Sequence, residues 1–236
     1  MGDGDIASLL PGRGVERIAV LSSGGLDSAV LLADLARENT VFPIYVQAGL
    51  HWEPGEQRAL KGYLAALTSL PNLQPLTVLE MPVRSLYGQH WSTTGEGIPD
   101  AEAPDIDVYL PGRNVLLIGL TAVWCALHDG SAIAIGSLDG NPFPDATPHF
   151  FESYGAVLSE SLAHDITVIA PYRSKHKAQI IRDFPDLPLH LTLTCMAPAG
   201  FDDGGVPVHC GACNKCEERR RAFREAGVQD KTRYAK

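Results

Sequence analysis

Positive charge is in short supply: 19 lysines and arginines stand against 28 aspartates and glutamates, a net charge of −9. That balance argues against a wide footprint on the phosphates of long nucleic acid and favours a small-molecule substrate. Long apolar runs are missing as well, with nothing near the roughly 20 residues that cross a bilayer. The amino terminus, Met1-Gly2-Asp3-Gly4-Asp5, has neither a basic region nor an apolar core, so a cytoplasmic protein with no membrane attachment is expected. A myristoylation signal wants Ser or Thr at position 6, where this chain has Ile6. No Gly-x4-Gly-Lys-Ser/Thr occurs, and no Gly-x-Gly-x-x-Gly follows a candidate strand. Ordinary NTPase loops and the dinucleotide fingerprint are thereby excluded. Cysteine is scarce and odd in number: of five, four fall between Cys195 and Cys216, which in a reducing compartment points to metal rather than to disulfides.

The 236 residues, 45% of them hydrophobic, suffice for one large α/β domain with its own core. Residues 1–15, punctuated by Gly2, Gly4, Pro11, Gly12 and Gly14, are expected to be a flexible N-terminus. From Arg17 the pattern alternates. Strands are expected at 17–21, 41–46, 75–81, 132–137 and 166–170, and helices from Ala29 to Leu35 and at 53–67, 115–127, 150–162 and 177–184. Such alternation predicts a Rossmann-like parallel sheet of about five strands with helices on both faces, over residues 16–186. The Gly/Pro-rich stretch 82–111 lacks periodicity, and a connection of that length is expected beside the active site. Residues 187–236 read as a small metal-stapled appendage ending in a charged helix, 217–226.

Leu21-Ser22-Ser23-Gly24-Gly25-Leu26-Asp27-Ser28 joins the first strand to the first helix, where backbone amides and the helix dipole make an anion site. The glycines let the backbone approach phosphate, and the serine hydroxyls add donors. The expected ligand is a nucleotide. Asp27, itself anionic, is assigned either to Mg²⁺ through water or to orienting the loop amides. Cys195, Cys210, Cys213 and Cys216 are spaced C-x14-C-x2-C-x2-C, a set suited to tetrahedral zinc with no position left open for substrate, hence a structural role. Iron–sulfur ligation lacks its usual fourth cysteine and proline. Cys125, on an apolar helix, reads as a small core residue.

The Ser-Gly-Gly-x-Asp-Ser loop resembles that of the PP-loop pyrophosphatase superfamily. Together with Pro111-Gly112-Arg113-Asn114 and the terminal cysteine cluster, it makes the chain resemble the 7-cyano-7-deazaguanine synthase family over about residues 17–226. The resemblance implies ATP, Mg²⁺ and Zn²⁺ as cofactors, 7-carboxy-7-deazaguanine and ammonia as small-molecule substrates, and a homodimer. It further implies two adenylations, the first giving an amide and the second the nitrile, in queuosine-type biosynthesis. Arg113 would neutralise the substrate carboxylate or the α-phosphate. Asn114 would bind substrate or cap the following helix. Lys177, in a segment similar to the family's Lys-Ala-Glu-Ile, would reach phosphate, an ordinary solvated lysine being the other reading.

Leu138 to Asp145 follows the fourth strand, and ligands of open α/β sheets gather at the carboxyl ends of strands. Asp139 and Asp145 are candidates to accept from a guanine-like edge, with Phe143 stacking on the base; an acidic turn is the other reading. Here the chain departs from the family's Tyr-Ser-Gly-Tyr-Pro-Asp, and at Gln47 to Pro54 from its Asp-Tyr-Gly-Gln-Arg-His. A related deazapurine or another acid therefore stays open as substrate. His51, Trp52, His90 and Trp91 read as pocket-lining or as packing. Arg219, Arg220, Arg221 and Arg224 read as a solvated face or as contacts to phosphates or a short RNA. Two alternative functions remain: a sulfur-transferring tRNA-modifying enzyme of the PP-loop type, and a non-catalytic nucleotide-binding protein.

Overall fold

Five apolar runs pair into one parallel sheet in the order β3-β2-β1-β4-β5, with β1 at Arg17–Leu21, β2 at Thr40–Gln47, β3 at Thr77–Glu80, β4 at Ala132–Ala134 and β5 at Thr167–Ile169. The computed structural model describes residues 9–10 and 16–236; the flexible N-terminus expected for 1–15 lies outside them, save 9–10. Eight helices occur in the described residues: α1 Leu26–Leu35, α2 Glu53–Ala66, α3 Arg84–Tyr87, α4 Trp91–Thr94, α5 Arg113–Leu127, α6 Pro148–Leu162, α7 Lys177–Asp183 and α8 Asn214–Ala226.

Side chains alternate across a strand, so β1 feeds two cores. Ile18 and Val20 join Leu31, Tyr63, Ile180 and Phe223 from α1, α2, α7 and α8 on one face. Ala19 and Leu21 join Ile118, Cys125, Phe151 and Leu158 from α5 and α6 on the other. Burial of each large apolar side chain contributes about 1.5–3 kcal/mol. Both faces of the sheet are covered, as a parallel sheet requires.

The stretch 82–111 carries α3, α4 and a 3₁₀ turn, Asp105–Val108. It is pinned to the start of α2 by Trp91 stacked on Trp52, with ring centroids 5.5 Å apart, over a small core of Ala48, Leu50, Val83 and Leu110.

After α7 the chain forms a second sheet, β6 Gly200–Phe201, β7 Pro207–His209 and β8 Arg233–Tyr234, with β7 antiparallel to β6 and parallel to β8. This part shares the main core, because Ala222, Phe223 and Ala226 of α8 pack in the cluster that holds Val20. The charged helix starts three residues before the expected Glu217, at Asn214. Arg219, 0% exposed, holds the segment together. Its Nε donates to Thr232 Oγ1 (2.8 Å), Nη1 to Thr192 Oγ1 (2.9 Å) and Nη2 to the Leu189 carbonyl (2.7 Å). Arg219→Met should cost about 2–4 kcal/mol, since it leaves buried acceptors unpaired. Urea unfolding measures this, and a midpoint equal to the wild type's would contradict it.

Candidate functional site

The phosphate-loop candidate lies at the carboxyl end of β1. α1 starts after Gly25, whose extended backbone (φ −75°, ψ 163°) carries no side-chain cap, so the first amides of the helix are free of any internal anion mimic. The serines brace the turn: Ser28 Oγ accepts from the Ser23 amide (3.2 Å) and Ser23 Oγ from the Gly25 amide (3.3 Å). Gly24 is held at φ +75°, and a Cβ there would sit 2.7 Å from the Glu56 carbonyl oxygen, so only glycine lets the loop meet α2.

A cavity of about 390 Å³ opens beside this loop, within the range of small-molecule sites. Leu21, Ser22, Ser23, Gly25, Asp27 and Ser28 line it. Gly24 packs on α2 instead, and Leu26 is wholly buried. Arg113, Asn114, Asp139, Phe143, Asp145 and Lys177 all line the same cavity, as do Tyr87, Val108 and Tyr109 of the stretch 82–111. Two wall atoms, Asp27 Oδ1 and Thr194 Oγ1, are buried without a hydrogen-bond partner among the described residues, which marks the wall as incomplete without a ligand.

Lys177 is not a solvated lysine. Only 12% of its side chain is exposed, and its Nζ lies 3.2 Å from Asp27 Oδ2 and bonds Glu218 Oε1. Glu218 Oε2 accepts in turn from Lys215 Nζ (2.7 Å), which reaches Asp105 at 3.4 Å. Charges therefore alternate from the loop helix α1 through α7 and α8 to the stretch 82–111. Burial opposes charge on Lys177, yet Asp27 and Glu218 more than offset it and raise its pKa. Burial also opposes ionisation of Glu218, but Lys177 and Lys215 outweigh it and bring the pKa down to about 2. Asp27, with one ammonium partner and an orphan oxygen, is raised by burial.

Arg113 opens α5, and its guanidinium makes no hydrogen bond or ion pair among the described residues; its charge acts on Glu56 and Tyr87. Asn114 does not cap α5. Gly112 occupies the cap with a left-handed backbone (φ 73°), and the Asp145 carboxylate accepts from the Asn114 amide at 3.0 Å while Asn114 Nδ2 donates to the Asp145 carbonyl at 2.9 Å. A negative charge at a helix N-terminus is favourable there. Asp139 faces Arg173 at 3.9 Å and His176 at 3.5 Å. Phe143 stacks on Tyr109 with centroids 5.0 Å apart.

Sequence reasoning missed a cluster in α2. Glu53 Oε1 and Oε2 accept from the Ala48 and Gly49 amides, both at 2.8 Å. Glu56, 8% exposed, accepts from the Tyr45 hydroxyl at 3.0 Å. Burial pushes the Glu56 carboxyl up to about 8, with Arg113 and Tyr45 pulling the other way. The signal was present in the spacing: Glu53, Glu56, Leu60 and Tyr63 share one helical stripe, which puts two carboxylates on the buried face.

Cys195, Cys210, Cys213 and Cys216 converge, with all four sulfurs within 4.8 Å of one another. The separations Cys195–Cys213 (3.9 Å), Cys210–Cys216 (3.8 Å) and Cys213–Cys216 (3.5 Å) are those of a tetrahedron whose Zn–S bonds are about 2.3 Å. Backbone amides of Ala197 and Cys210 donate to Cys195 Sγ, the outer-shell support a metal thiolate needs. Cys125 is buried in the core and its thiol is pushed up to about 12 by burial.

His51, Trp52, His90 and Trp91 do not line the cavity; the two tryptophans pack on each other and His90 caps α4 through Ser92. The expected basic face divides. Arg219 is internal, Arg220 donates to the Gly211 and Lys236 carbonyls, and Arg224 pairs with Glu217 at 2.8 Å.

Cys213→Ser should abolish one equivalent of bound zinc and lower the melting temperature, read by metal analysis and calorimetry; a metal-free wild type would contradict this. Glu218, depressed from 4.5 to about 2, gives stability that is complete above pH about 4.5 and is lost as pH falls through about 2. Glu218→Gln should flatten that part of the acid-denaturation curve, whereas an unchanged curve would place the carboxylate outside the network.

No helix among the described residues is long and apolar enough to cross a membrane. The family model for queuosine biosynthesis protein QueC matches residues 17–227. The chain is 30% identical to 7-cyano-7-deazaguanine synthase of Methanocaldococcus jannaschii, over 93% of this chain and 99% of that protein. It is 31% identical to the enzyme of the same name from Methanopyrus kandleri, over 91% and 97%, and 28% identical to that of Pyrococcus abyssi, over 93% and 98%. A five-stranded parallel sheet, a strand-to-helix loop of two glycines and a four-cysteine cluster within one matched span establish that the chain belongs to the QueC family.

Proposed function

We propose that this chain is an ATP-dependent carbon–nitrogen ligase that activates a 7-carboxy-7-deazaguanine-like carboxylate as an acyl adenylate and condenses it with ammonia. The observation that carries the reading is Arg113, a cation without a protein partner among the described residues, in the cavity that the phosphate loop and the Phe143–Tyr109 stack share. A carboxylate resists amine attack until its oxygen becomes a good leaving group, and AMP supplies one. The loop amides and serines would hold the pyrophosphate as it departs, with Arg113 and Lys177 balancing the charge that develops at the α-phosphate. Asp27, with its orphan oxygen, is the group suited to a water shell of Mg²⁺. The Phe143–Tyr109 pair would offer a face for the base to stack on, and Asp139 would accept from its edge. Zinc on the four cysteines would be structural, anchoring α8 and with it Glu218. The enzyme is proposed to work in the cytoplasm as a homodimer.

Sulfur transfer is disfavoured because, among the described residues, no cysteine lines the cavity and the one outside the cluster is buried in the core. An acidic chain also suits a free base better than tRNA.

Purified protein supplied with ATP, Mg²⁺, ammonium and 7-carboxy-7-deazaguanine should yield AMP and the nitrile, followed by chromatography and mass spectrometry. AMP with the amide alone would place the enzyme at the first of two adenylations, and no acid-dependent AMP would overturn the substrate. Arg113→Ala and Lys177→Met should each lower kcat/KM by about 100-fold; values near the wild type's would remove those residues from the reaction.

A further inference from the structure

Most carboxylates in the cavity wall are already engaged. Asp27 and Glu218 bind Lys177, and Asp105 reaches Lys215. Glu53 accepts from the Ala48 and Gly49 amides, Asp145 from the Asn114 amide, and Asp139 faces Arg173 and His176. Glu56 alone among these has neither an ion-pair partner nor a backbone amide on its carboxylate, which is held by the Tyr45 hydroxyl and the Trp52 side chain. It also lines the cavity together with the phosphate loop and Arg113. The Glu56 carbonyl fills the space that a Cβ on Gly24 would need, so the first turn of α2 lies against the phosphate loop.

We propose that Glu56, oriented by Tyr45, is the proton acceptor of the amine-transfer step, taking a proton from ammonium inside the cavity. The inference rests on the adenylation reading above. Ammonium, the form that predominates at neutral pH, has no lone pair with which to attack. It passes one proton to the Glu56 carboxylate and becomes ammonia. The nitrogen lone pair then forms the C–N bond to the acyl carbon, the bond from that carbon to the AMP oxygen breaks, and its electrons leave on AMP. The second proton goes to solvent, giving the amide and AMP, and Glu56 returns its proton to water.

The surroundings suit this task. The charged and titratable groups facing Glu56 are Tyr45 from β2, Arg113 from α5 and Glu53 from its own helix. Burial outweighs the pull of Arg113 and leaves the carboxyl titrating at about 8, so the ionised fraction, a minority at neutral pH that grows as pH rises, is a stronger base than an exposed carboxylate. A solvent-exposed carboxylate would be too weak a base to take a proton from ammonium with comparable ease.

The test compares two nucleophiles at neutral pH: ammonium, which must lose a proton, and hydroxylamine, which is largely uncharged. In Glu56→Gln, which preserves volume and an acceptor for Tyr45, amide formation from ammonium should fall about 100-fold, while hydroxamate formation stays within about threefold of the wild type. Tyr45→Phe should lower the ammonium reaction about tenfold with the same sparing of hydroxylamine, and Glu56→Asp should recover part of the loss. Equal loss with both nucleophiles in these variants would make Glu56 a structural residue and overturn the proposal, as would no loss with either. A wild-type protein that forms hydroxamate while Glu56 variants behave normally with ammonium refutes Glu56 alone. A wild type that forms neither hydroxamate nor acid-dependent AMP refutes the adenylation reading and this inference with it.

Discussion

One ammonium group, Lys177 Nζ, joins the walls of the candidate site. Through Asp27 it touches the phosphate loop, and through Glu218 it touches the helix that follows the cysteine cluster. Lys215 and Asp105 extend the contact to the stretch that closes the cavity. The pairs are three-quarters buried or more at Asp27, Lys177 and Glu218, so their attraction is screened less than that of surface ion pairs. The cysteine cluster does not line the cavity, yet it bears on the cavity wall, because Cys216 and Glu218 lie within one turn of α8. A metal held by the four cysteines would anchor the helix, and the helix carries Glu218 to the cavity.

Close backbone approach is the second constraint. Gly24 meets the Glu56 carbonyl, and a Cβ on Gly136 would come within 2.9 Å of the Ser28 amide nitrogen. The loop between β1 and α1 is thus held between α2 on one side and the end of β4 on the other. A cradle of amides held in this way can stabilise developing charge without reorganising, which the proposed transfer of AMP would demand.

Much of this was legible in the sequence, for local reasons. Strand and helix periods are short-range, so the runs from Arg17 to Asp183 declare a five-stranded parallel sheet, and two glycines between apolar strand and apolar helix mark the loop. Four cysteines at close spacing declare their own convergence. What stayed hidden depends on partners far along the chain. Asn114 looked like a cap because its own neighbourhood favours one, yet the anion at that helix comes from Asp145, 31 residues away. Arg219 looked solvated within an arginine run, although its acceptors lie at Leu189, Thr192 and Thr232. Glu56 is hidden in the sequence because a carboxylate on a helix reads as its polar face, and here that face is buried against the cavity.

In the proposed reaction the substrate's carboxyl oxygens leave on AMP. The most direct measurement uses 7-carboxy-7-deazaguanine carrying ¹⁸O in both carboxyl positions, with mass spectrometry of the AMP released during turnover. The account predicts one ¹⁸O in each AMP and, for complete conversion to nitrile, two labelled AMP molecules for each acid consumed. Unlabelled AMP, with the ¹⁸O recovered in water or pyrophosphate, would contradict it.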